Sequence, residues 1–406
     1  MRKPHAFGFE GPLAPYAETF AEQLGEQGYA PWTVQDKLHV VAKLSHWLEE
    51  RQLPVAVLDE QRVCAFLEEF QEEERRTYHG DPTTLRGLLK QLSDNGVIPE
   101  PRAIAAEGAQ AEIVREFNRY LTQERGLSAA TVGNYVAVVD RFLNRRFGEG
   151  SVDLAAMLAH DITDFILAQA RHLSPKPAQL MVTGLRSFLR FLYQRGQIAV
   201  DLGAVVPTVA DWRLAGVPKY LPPEQVELLL ERCDQRTVVG QRDYSILLLL
   251  ARLGLRAGEV VHLRLEDVDW TAGLLTVRGK GGRWRQLPLP VDVGEAIARY
   301  LRWGRPPCTT RRVFVRGRAP RAGFANSAAI DGIVSRALAR AGLSPPSRGA
   351  HLLRHSLATG MLRSGASLAE IGQLLGHRLP QSTEIYAKVD KRALADLAQP
   401  WPGGAP

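Results

Sequence analysis

A chain of 406 residues is longer than one ordinary domain, so its length predicts two or three domains. The composition, 45% hydrophobic and 23% charged, excludes a disordered or fibrous protein, and the longest apolar run, Ile246–Ala251, is far too short to span a membrane. A net charge of +7 and three scattered cysteines favour a polyanion-binding protein of the reducing cytoplasm over a secreted, disulfide-stabilised one.

The charge is distributed unevenly along the chain. Residues 1–100 contain 10 Lys+Arg and 17 Asp+Glu, whereas residues 101–406 contain 41 and 27. From residue 301 onward the count is 16 basic against 5 acidic residues. This gradient predicts a polyanion-binding body preceded by an acidic module that need not touch the polyanion.

Two segments in the first half of the chain resemble each other. "GYAPWTVQDKLHVVAKLSHWL" begins at Gly28 and "GLSAATVGNYVAVVDRFLNRR" begins at Gly126, so they align at an offset of 98 residues. In each, a small or polar residue precedes the apolar spacing that is typical of a helix. We therefore predict two related helical bundles, an accessory N-terminal domain at 1–100 and a second bundle at 101–205. The alternative is that two unrelated amphipathic helices share one pattern.

The second bundle is rich in basic residues next to phenylalanine and tyrosine. The basic residues of its predicted helices are Arg141, Arg145, Arg146, Arg171, Lys176, Arg186, Arg190 and Arg195. By themselves they are typical of the solvated face of amphipathic helices. The segment that follows, residues 206–220, is rich in proline and glycine and is predicted to be a linker.

From residue 221 the pattern predicts a different domain. Pro222 and Pro223 suit the first turn of a helix, and Gly254 suits the left-handed end of an apolar, central helix. A short helix is predicted from Arg256. "DVDWTAGLLTVRGKGGRWRQLPLP" then alternates between short strands and glycine-rich turns. The predicted fold class is mainly α with a small antiparallel β-sheet, in a domain that spans 221–398 and leaves 399–406 as a tail.

One predicted helix, "HLLRHSLATGML", concentrates groups that suit an anionic partner. The helical period places His351, Arg354 and His355 on one arc. The spacing of the two histidines is also that of some zinc ligands, but no HExxH glutamate or nearby carboxylate accompanies them. No metal site is predicted.

The next predicted helix ends beside two further candidates. Ser367 and Glu370 have the spacing of a capping box at its start, and Gly376 marks its end. His377 follows at once, outside the helix. Tyr386 lies beyond a proline, on a predicted short helix, and its hydroxyl suits a nucleophile.

Four motifs together resemble the tyrosine recombinase (phage integrase) family. In chain order they are "LGLRAGEVVHLRLEDVDW", "VRGKGGRWRQLPLP", "HLLRHSLATGML" and "LLGHRLPQSTEIYAKV". The resemblance covers roughly residues 101–395, and residues 1–100 are an addition to the minimal family plan. It implies that 101–205 is a SAM-like core-binding domain that contacts DNA and that 221–398 is the catalytic domain. The departures are slight: Leu253 stands where threonine is common, and Val260 replaces a usual leucine.

The resemblance implies a site-specific DNA recombinase that cleaves and rejoins strands through a covalent 3′-phosphotyrosine, without metal, ATP or another cofactor. The catalytic residues that it implies are Arg256, Lys280, His351, Arg354, His377 and Tyr386. Tyr386 would attack the phosphorus, and the two arginines would bind its non-bridging oxygens. His351 would accept the tyrosine proton, His377 would hydrogen-bond the phosphate, and Lys280 would protonate the leaving 5′-oxygen.

Each of these residues has a plainer interpretation when it is taken alone. Arg256 suits a surface ion pair with Glu259, Lys280 a solvated turn, and Tyr386 a hydrophobic core. His355 suits a buried, hydrogen-bonded histidine and is not included in the predicted site. The joint order of the motifs, rather than any single residue, favours the catalytic interpretation.

The resemblance also implies partners and a location. They are double-stranded DNA with specific recombination sites, a homotetramer in the synaptic complex, and the nucleoid within the cytoplasm, away from membranes. An accessory protein is expected to bind residues 1–100, and the alternative is that this module reads a second DNA segment. Three rival functions are a DNA-binding regulator with an inert centre, a type IB topoisomerase and a metal hydrolase. The sequence leaves open whether the origin is a mobile element or the host.

Overall fold

The computed structural model describes residues 10–74, 81–99, 108–148, 150–209, 218–279, 284–377 and 379–389. The described residues fall into two compact units. One contains those within Met1–Val57, Phe66–Leu92 and Gly216–Pro406, and the other those within Leu58–Ala65 and Ser93–Ala215. The domain boundaries predicted at residues 100, 205 and 220 stay predictions, and the predicted C-terminal tail lies outside the described residues.

The described residues before 95 include four α-helices: α1 (Ala14–Glu26), α2 (Pro31–Glu50), α3 (Glu60–Glu74) and α4 (Asp81–Asp94). Helix α2 begins with a proline, whose missing N–H costs nothing in the first turn. On α4 the leucines recur every three or four residues, and Leu85, Leu88 and Leu92 are fully buried. This spacing places them on one face of the helix, which is the buried face.

The described residues between 108 and 195 include four more α-helices: α5 (Ala109–Arg119), α6 (Ala129–Phe147), α7 (Ala159–Ala170) and α8 (Pro175–Gln194). Ser128 caps α6 by accepting a hydrogen bond from the Thr131 amide. The core contains a group of aromatic rings, in which Phe117 packs edge-on against Phe188 with centroids 5.2 Å apart.

The helix positions follow the repeat found in the sequence. Helix α2 begins at Pro31 and α6 begins at Ala129, which is the offset of 98 residues. A glycine with positive φ lies three residues before each start, Gly28 at 82° and Gly126 at 58°. Both segments therefore use the same local structure, in which glycine tolerates the left-handed backbone and a helix follows.

The described residues from 218 onward include seven α-helices and a small sheet. The helices are α9 (Pro223–Glu231), α10 (Val238–Arg252), α11 (Ala257–His262), α12 (Val291–Arg299), α13 (Ala328–Arg340), α14 (His351–Arg363) and α15 (Leu368–Leu375). The strands β1 (Val268–Asp269), β2 (Leu274–Arg278) and β3 (Trp284–Pro288) pair antiparallel in that order, with Leu275 opposite Leu287. Two short 3₁₀ helices, Pro380–Ser382 and Glu384–Val389, follow α15. The predicted fold class is confirmed.

Helix α10 is the central element of this region. Every residue from Ser245 to Ala251 is buried, because the helix is surrounded by α9, α12, α13 and α14. Gly254 follows it with φ +59°, as predicted for a left-handed end. The short helix α11 begins directly after Arg256.

A second, smaller apolar cluster joins the last elements of the described chain. It contains Ala358 on α14, Ile371 and Leu375 on α15, and Tyr386 and Val389 on the final 3₁₀ helix. The Ser367–Glu370 capping box at the start of α15 is present and the helix ends at Gly376, as predicted. Gly376 itself has a left-handed backbone. None of the described helices combines the length and the apolar character that crossing a bilayer requires.

Candidate active site

Arg354 is the most buried of the described site residues that carry a charge. It lies on the first turn of α14, and its residue is only 2% exposed. Its guanidinium donates from Nη1 to the Gly254 carbonyl and from Nη2 to the Leu375 carbonyl, the latter at 2.7 Å. Burial, and secondarily the charge of Arg256, lowers its pKa to about 10, so the side chain is still a cation at neutral pH.

Arg256 occupies the position just before α11. Its guanidinium donates to Glu259 at 2.8 Å, and its amide donates to the other oxygen of the same carboxylate at 2.9 Å. The ion pair that the sequence offered as the plain alternative is therefore present. The guanidinium also reaches the Gly376 carbonyl at 3.4 Å and is about one-third exposed. Arg256 thus combines a structural ion pair with access to solvent.

The C-terminal end of α15 brings the arginines together. Three consecutive carbonyls, those of Leu374, Leu375 and Gly376, accept hydrogen bonds from Arg285, Arg354 and Arg256 respectively. The last carbonyls of a helix have no partner within the helix and carry the negative end of its dipole. They therefore attract cations, and this helix end gathers three guanidiniums from three separate elements.

Tyr386 lies in the final 3₁₀ helix and is 1% exposed. Its ring belongs to the small apolar cluster with Leu375 and Ala358. Its hydroxyl lies 2.9 Å from Nδ1 of His355, and the two ring centroids are 5.6 Å apart. Burial raises the pKa of the phenol, while Arg354 and Arg256 act in the opposite direction. The buried hydroxyl is therefore protonated at neutral pH and needs a neighbour to accept its proton.

His377 lies next to the same ring. Its Nδ1 is 2.7 Å from the Thr383 hydroxyl, and its amide donates to the Gly372 carbonyl at 2.9 Å. The imidazole is parallel to the Tyr386 ring, with an interplanar angle of 2° and centroids 6.5 Å apart. Burial, followed by the charges of Arg354 and Arg256, lowers the pKa of His377 to about 4. At neutral pH it is an uncharged hydrogen-bonding group.

The other two predicted residues are His351 and Lys280. His351 is exposed at the start of α14, and its ring lies one helical turn from His355, at 6.2 Å between centroids. Lys280 lies outside the described residues. The structure therefore brings together Arg256, Arg354, His377 and Tyr386, and it places His351 one turn away along the helix that bears Arg354.

Two residues of the site were not predicted. His355 contacts the candidate nucleophile directly, although its sequence context suited a buried, hydrogen-bonded histidine. The signal that could have identified it is its place on the same arc as His351 and Arg354. Arg285 on β3 donates to Glu259 and to Leu374. The sequence gives no comparable signal for it, because both contacts are formed by residues distant along the chain.

The arrangement is suited to chemistry on a phosphate. Two guanidiniums near a buried phenol can bind the oxygens of an anion, and a phenol with a proton acceptor can become a nucleophile. Within the described ranges no group of three or more His, Cys, Asp or Glu side chains is placed to hold a metal ion.

Comparison with known proteins identifies two matching families. The sequence profile of the phage integrase family matches residues 219–393, and that of the phage integrase N-terminal SAM-like domain matches residues 114–196. The chain is 44% identical to the putative integrase/recombinase y4rA of Sinorhizobium fredii, over 98% of this chain and 96% of that protein. It is 32% identical to tyrosine recombinase XerC of Oceanobacillus iheyensis, over 69% and 92% of the two chains.

Comparison with solved structures finds proteins whose fold is similar to that of this chain. XerH recombinase bound to its palindromic difH substrate matches with a TM-score of 0.55 at 18% identity, covering 76% of this chain and 92% of that one. A lambda integrase (75–356) dimer bound to a COC′ core site matches with a TM-score of 0.54 at 17% identity, covering 69% and 96%. At this level of identity the similarity concerns the fold.

Proposed function

The chain belongs to the phage integrase family and is a tyrosine-type site-specific recombinase, and from this premise we propose which residues perform the reaction. Tyr386 is the nucleophile, Arg256 and Arg354 bind the phosphate, and His377 hydrogen-bonds it. His355, through Nδ1, accepts the tyrosine proton. Lys280, which lies outside the described residues, is proposed to protonate the leaving oxygen.

The reaction is an exchange of one phosphodiester for another. The Tyr386 oxygen bonds to phosphorus, the bond from phosphorus to the 5′-oxygen breaks, and the products are a 3′-phosphotyrosine and a 5′-hydroxyl. The phenol proton passes to His355, in the tautomer whose Nδ1 is unprotonated, and the leaving 5′-oxygen takes a proton from Lys280. Because one ester replaces another of similar energy, a 5′-hydroxyl from a second strand can reverse the step and rejoin the DNA.

The arginines supply the electrostatic part of catalysis. Attack on the phosphate concentrates negative charge on its non-bridging oxygens, and preorganised cations stabilise that charge without moving during the reaction. Arg354 is held by two backbone carbonyls, which are uncharged groups and do not form an ion pair with it. Arg256 is partly exposed, so a phosphate can approach it from solvent.

The observation that carries this proposal is the contact between the Tyr386 hydroxyl and His355 on the helix that also bears Arg354. The test is a nicked duplex that contains the site selected by the protein from a random-sequence DNA pool. The native chain should become covalently linked to the 3′-phosphate, and Tyr386→Phe should bind the site with native affinity but form no adduct. An adduct formed by Tyr386→Phe would refute the assignment of the nucleophile.

The proposed partner is double-stranded DNA carrying specific recombination sites. In support, six of the eight basic residues named for the second bundle are exposed: Arg141, Arg145, Arg171, Lys176, Arg190 and Arg195. Contacts of this kind are mainly to phosphate, so binding should weaken steeply with salt. A plasmid without the selected site should stay supercoiled, whereas a topoisomerase would relax it. This difference distinguishes a recombinase from a topoisomerase.

The finer assembly is part of the same proposal. Four protomers join two sites in the synaptic complex, and the protein acts at the nucleoid. Residues 1–100, with their excess of acidic side chains, bind an accessory protein rather than DNA. A variant lacking residues 1–100 should keep its affinity for the selected site and should no longer bind the accessory protein. Loss of affinity for the site would favour the alternative, in which residues 1–100 read a second DNA segment.

A further inference from the structure

We infer that Arg285 is a positioning residue for Arg256 and for the turn that carries His377, a role that rests on the proposed function. Arg285 lies on β3 and its side chain is 18% exposed. It donates from Nη2 to Glu259 at 3.0 Å and from Nη1 to the Leu374 carbonyl at 2.5 Å. One guanidinium therefore links the sheet to α11 and to the end of α15.

The shared carboxylate explains why this link affects Arg256. Glu259 is 5% exposed, and it binds Arg256 through one oxygen and Arg285, together with the Arg256 amide, through the other. Two cations facing one anion leave a net positive charge beside the phosphate site. Without Arg285 the carboxylate would neutralise Arg256 alone, and a buried carboxylate oxygen would lose its charged partner. Arg285 thus keeps the charge of Arg256 available to the substrate.

The packing of Gly376 explains the link to His377. A Cβ atom built on Gly376 would lie 2.7 Å from Nη1 of Arg285, and this glycine has φ +62°. The turn therefore crosses closely over the guanidinium. The same turn supplies the carbonyl that Arg256 contacts, and the next residue is His377. Because Arg285 packs against this turn, its loss should displace both Arg256 and His377.

The chain offers a matched control for the loss of a buried arginine. Arg242 on α10 is 8% exposed in its side chain, and it too donates to one carboxylate, Asp243, and to one backbone carbonyl, that of Val315. It contacts none of the proposed catalytic residues through these bonds. Arg285→Met and Arg242→Met remove the same groups, so both should lower the melting temperature, and only the first should affect catalysis.

The experiment measures first-strand cleavage at saturating DNA on the nicked duplex described above, together with DNA affinity and melting temperature. We expect Arg285→Met to cleave at least tenfold more slowly than the native chain while its affinity changes less than threefold. Arg242→Met should cleave within threefold of the native rate. Arg285→Lys should recover part of the rate, because an ammonium keeps the charge beside Glu259 but cannot match the forked contact.

Two results would overturn the inference: cleavage by Arg285→Met at the native rate, or equal losses in Arg285→Met and Arg242→Met, which would mark a purely structural role. If Arg285→Met does not fold, Arg285→Lys decides. A fivefold lower rate at a native melting temperature supports the role, and a native rate refutes it. Failure of the native chain itself to form the adduct would instead refute the proposed function, so the two failures are distinguishable.

Discussion

Nδ1 of His355 lies 2.9 Å from the hydroxyl oxygen of Tyr386, although the two residues are 31 positions apart and belong to different helices. The hydroxyl is buried, and burial raises its pKa, so removing its proton requires an adjacent base. The neighbouring His377 has its own Nδ1 against the Thr383 hydroxyl. From this contact we propose that His355 accepts the proton, a role that the family resemblance assigns to His351.

His355→Asn tests this assignment. The asparagine side chain places a polar atom close to the position of Nδ1, so it preserves a hydrogen bond to Tyr386 but cannot accept a proton at neutral pH. We expect the rate of adduct formation to fall about 100-fold, which is the usual scale of general base catalysis. The rate of covalent linkage on the nicked duplex gives the measurement.

His351→Gln is the matched comparison, since it removes the other histidine of the same helix. If His355 is the base, His351→Gln should lose less activity than His355→Asn. The reverse order would return the role of proton acceptor to His351.

Local rules predicted much of the fold and part of the site. The left-handed end at Gly254, the end of α15 at Gly376 and the Ser367 cap follow from the preferences of single residues, so the sequence alone predicts them. The role of Arg285 does not follow from local rules, because its partners Glu259 and Leu374 meet it only in the tertiary structure. His355 illustrates the same limit: its spacing indicated the helix arc, but not which side chain the Tyr386 hydroxyl would meet.

Arg354→Lys should strongly slow cleavage although it conserves the charge. The guanidinium donates from two nitrogens to the Gly254 and Leu375 carbonyls, and a lysine ammonium cannot reproduce this forked geometry. We expect a loss of about 2 kcal/mol in the free energy of unfolding, since a buried acceptor loses its charged donor. The cleavage rate should fall at least about 100-fold, the scale expected when one donor to a developing anion is removed.

Arg363→Lys is the control for this substitution, because Arg363 lies on the same helix but is exposed and donates to the Tyr220 hydroxyl. Denaturant unfolding and the nicked-duplex assay should both give nearly native values for it. Equal effects of the two substitutions would contradict the importance of the forked contact.

Gly254→Ala tests the packing that supports Arg354. Gly254 has φ +59°, and an added Cβ would lie 2.6 Å from Leu375 and 3.0 Å from Leu357. We expect destabilisation of about 2–4 kcal/mol from backbone strain and overpacking together. Cleavage should also slow, because the carbonyl of Gly254 holds Arg354.

Gly273→Ala separates the two causes. Gly273 has φ +64°, but an added Cβ would meet no atom within 4 Å. Gly273→Ala should therefore lower the free energy of unfolding by the backbone strain alone, about 1–2 kcal/mol. The cleavage rate should stay unchanged. Equal destabilisation in the two variants would show that packing against Leu375 contributes nothing.

The pH dependence of stability should contain a contribution from His377. Its pKa is lowered from 6.5 to about 4 in the folded state, chiefly by burial and then by the arginine charges. Between these two values the unfolded chain binds a proton that the folded chain does not. The contribution of His377 to the free energy of unfolding is therefore fully present above pH 6.5 and is lost as the pH decreases toward 4.

His377→Asn should remove this contribution, while its amide group can still hydrogen-bond the Thr383 hydroxyl. Between pH 7 and pH 4.5 the free energy of unfolding should fall by about 1–2 kcal/mol more in the native chain than in the variant. This figure allows for the partial exposure of the imidazole. Denaturant unfolding across this range is the measurement, and the exposed His172→Asn controls for loss of a histidine. If the native chain and His377→Asn lose stability in parallel as the pH falls, His377 is not held neutral by burial and by its arginine neighbours.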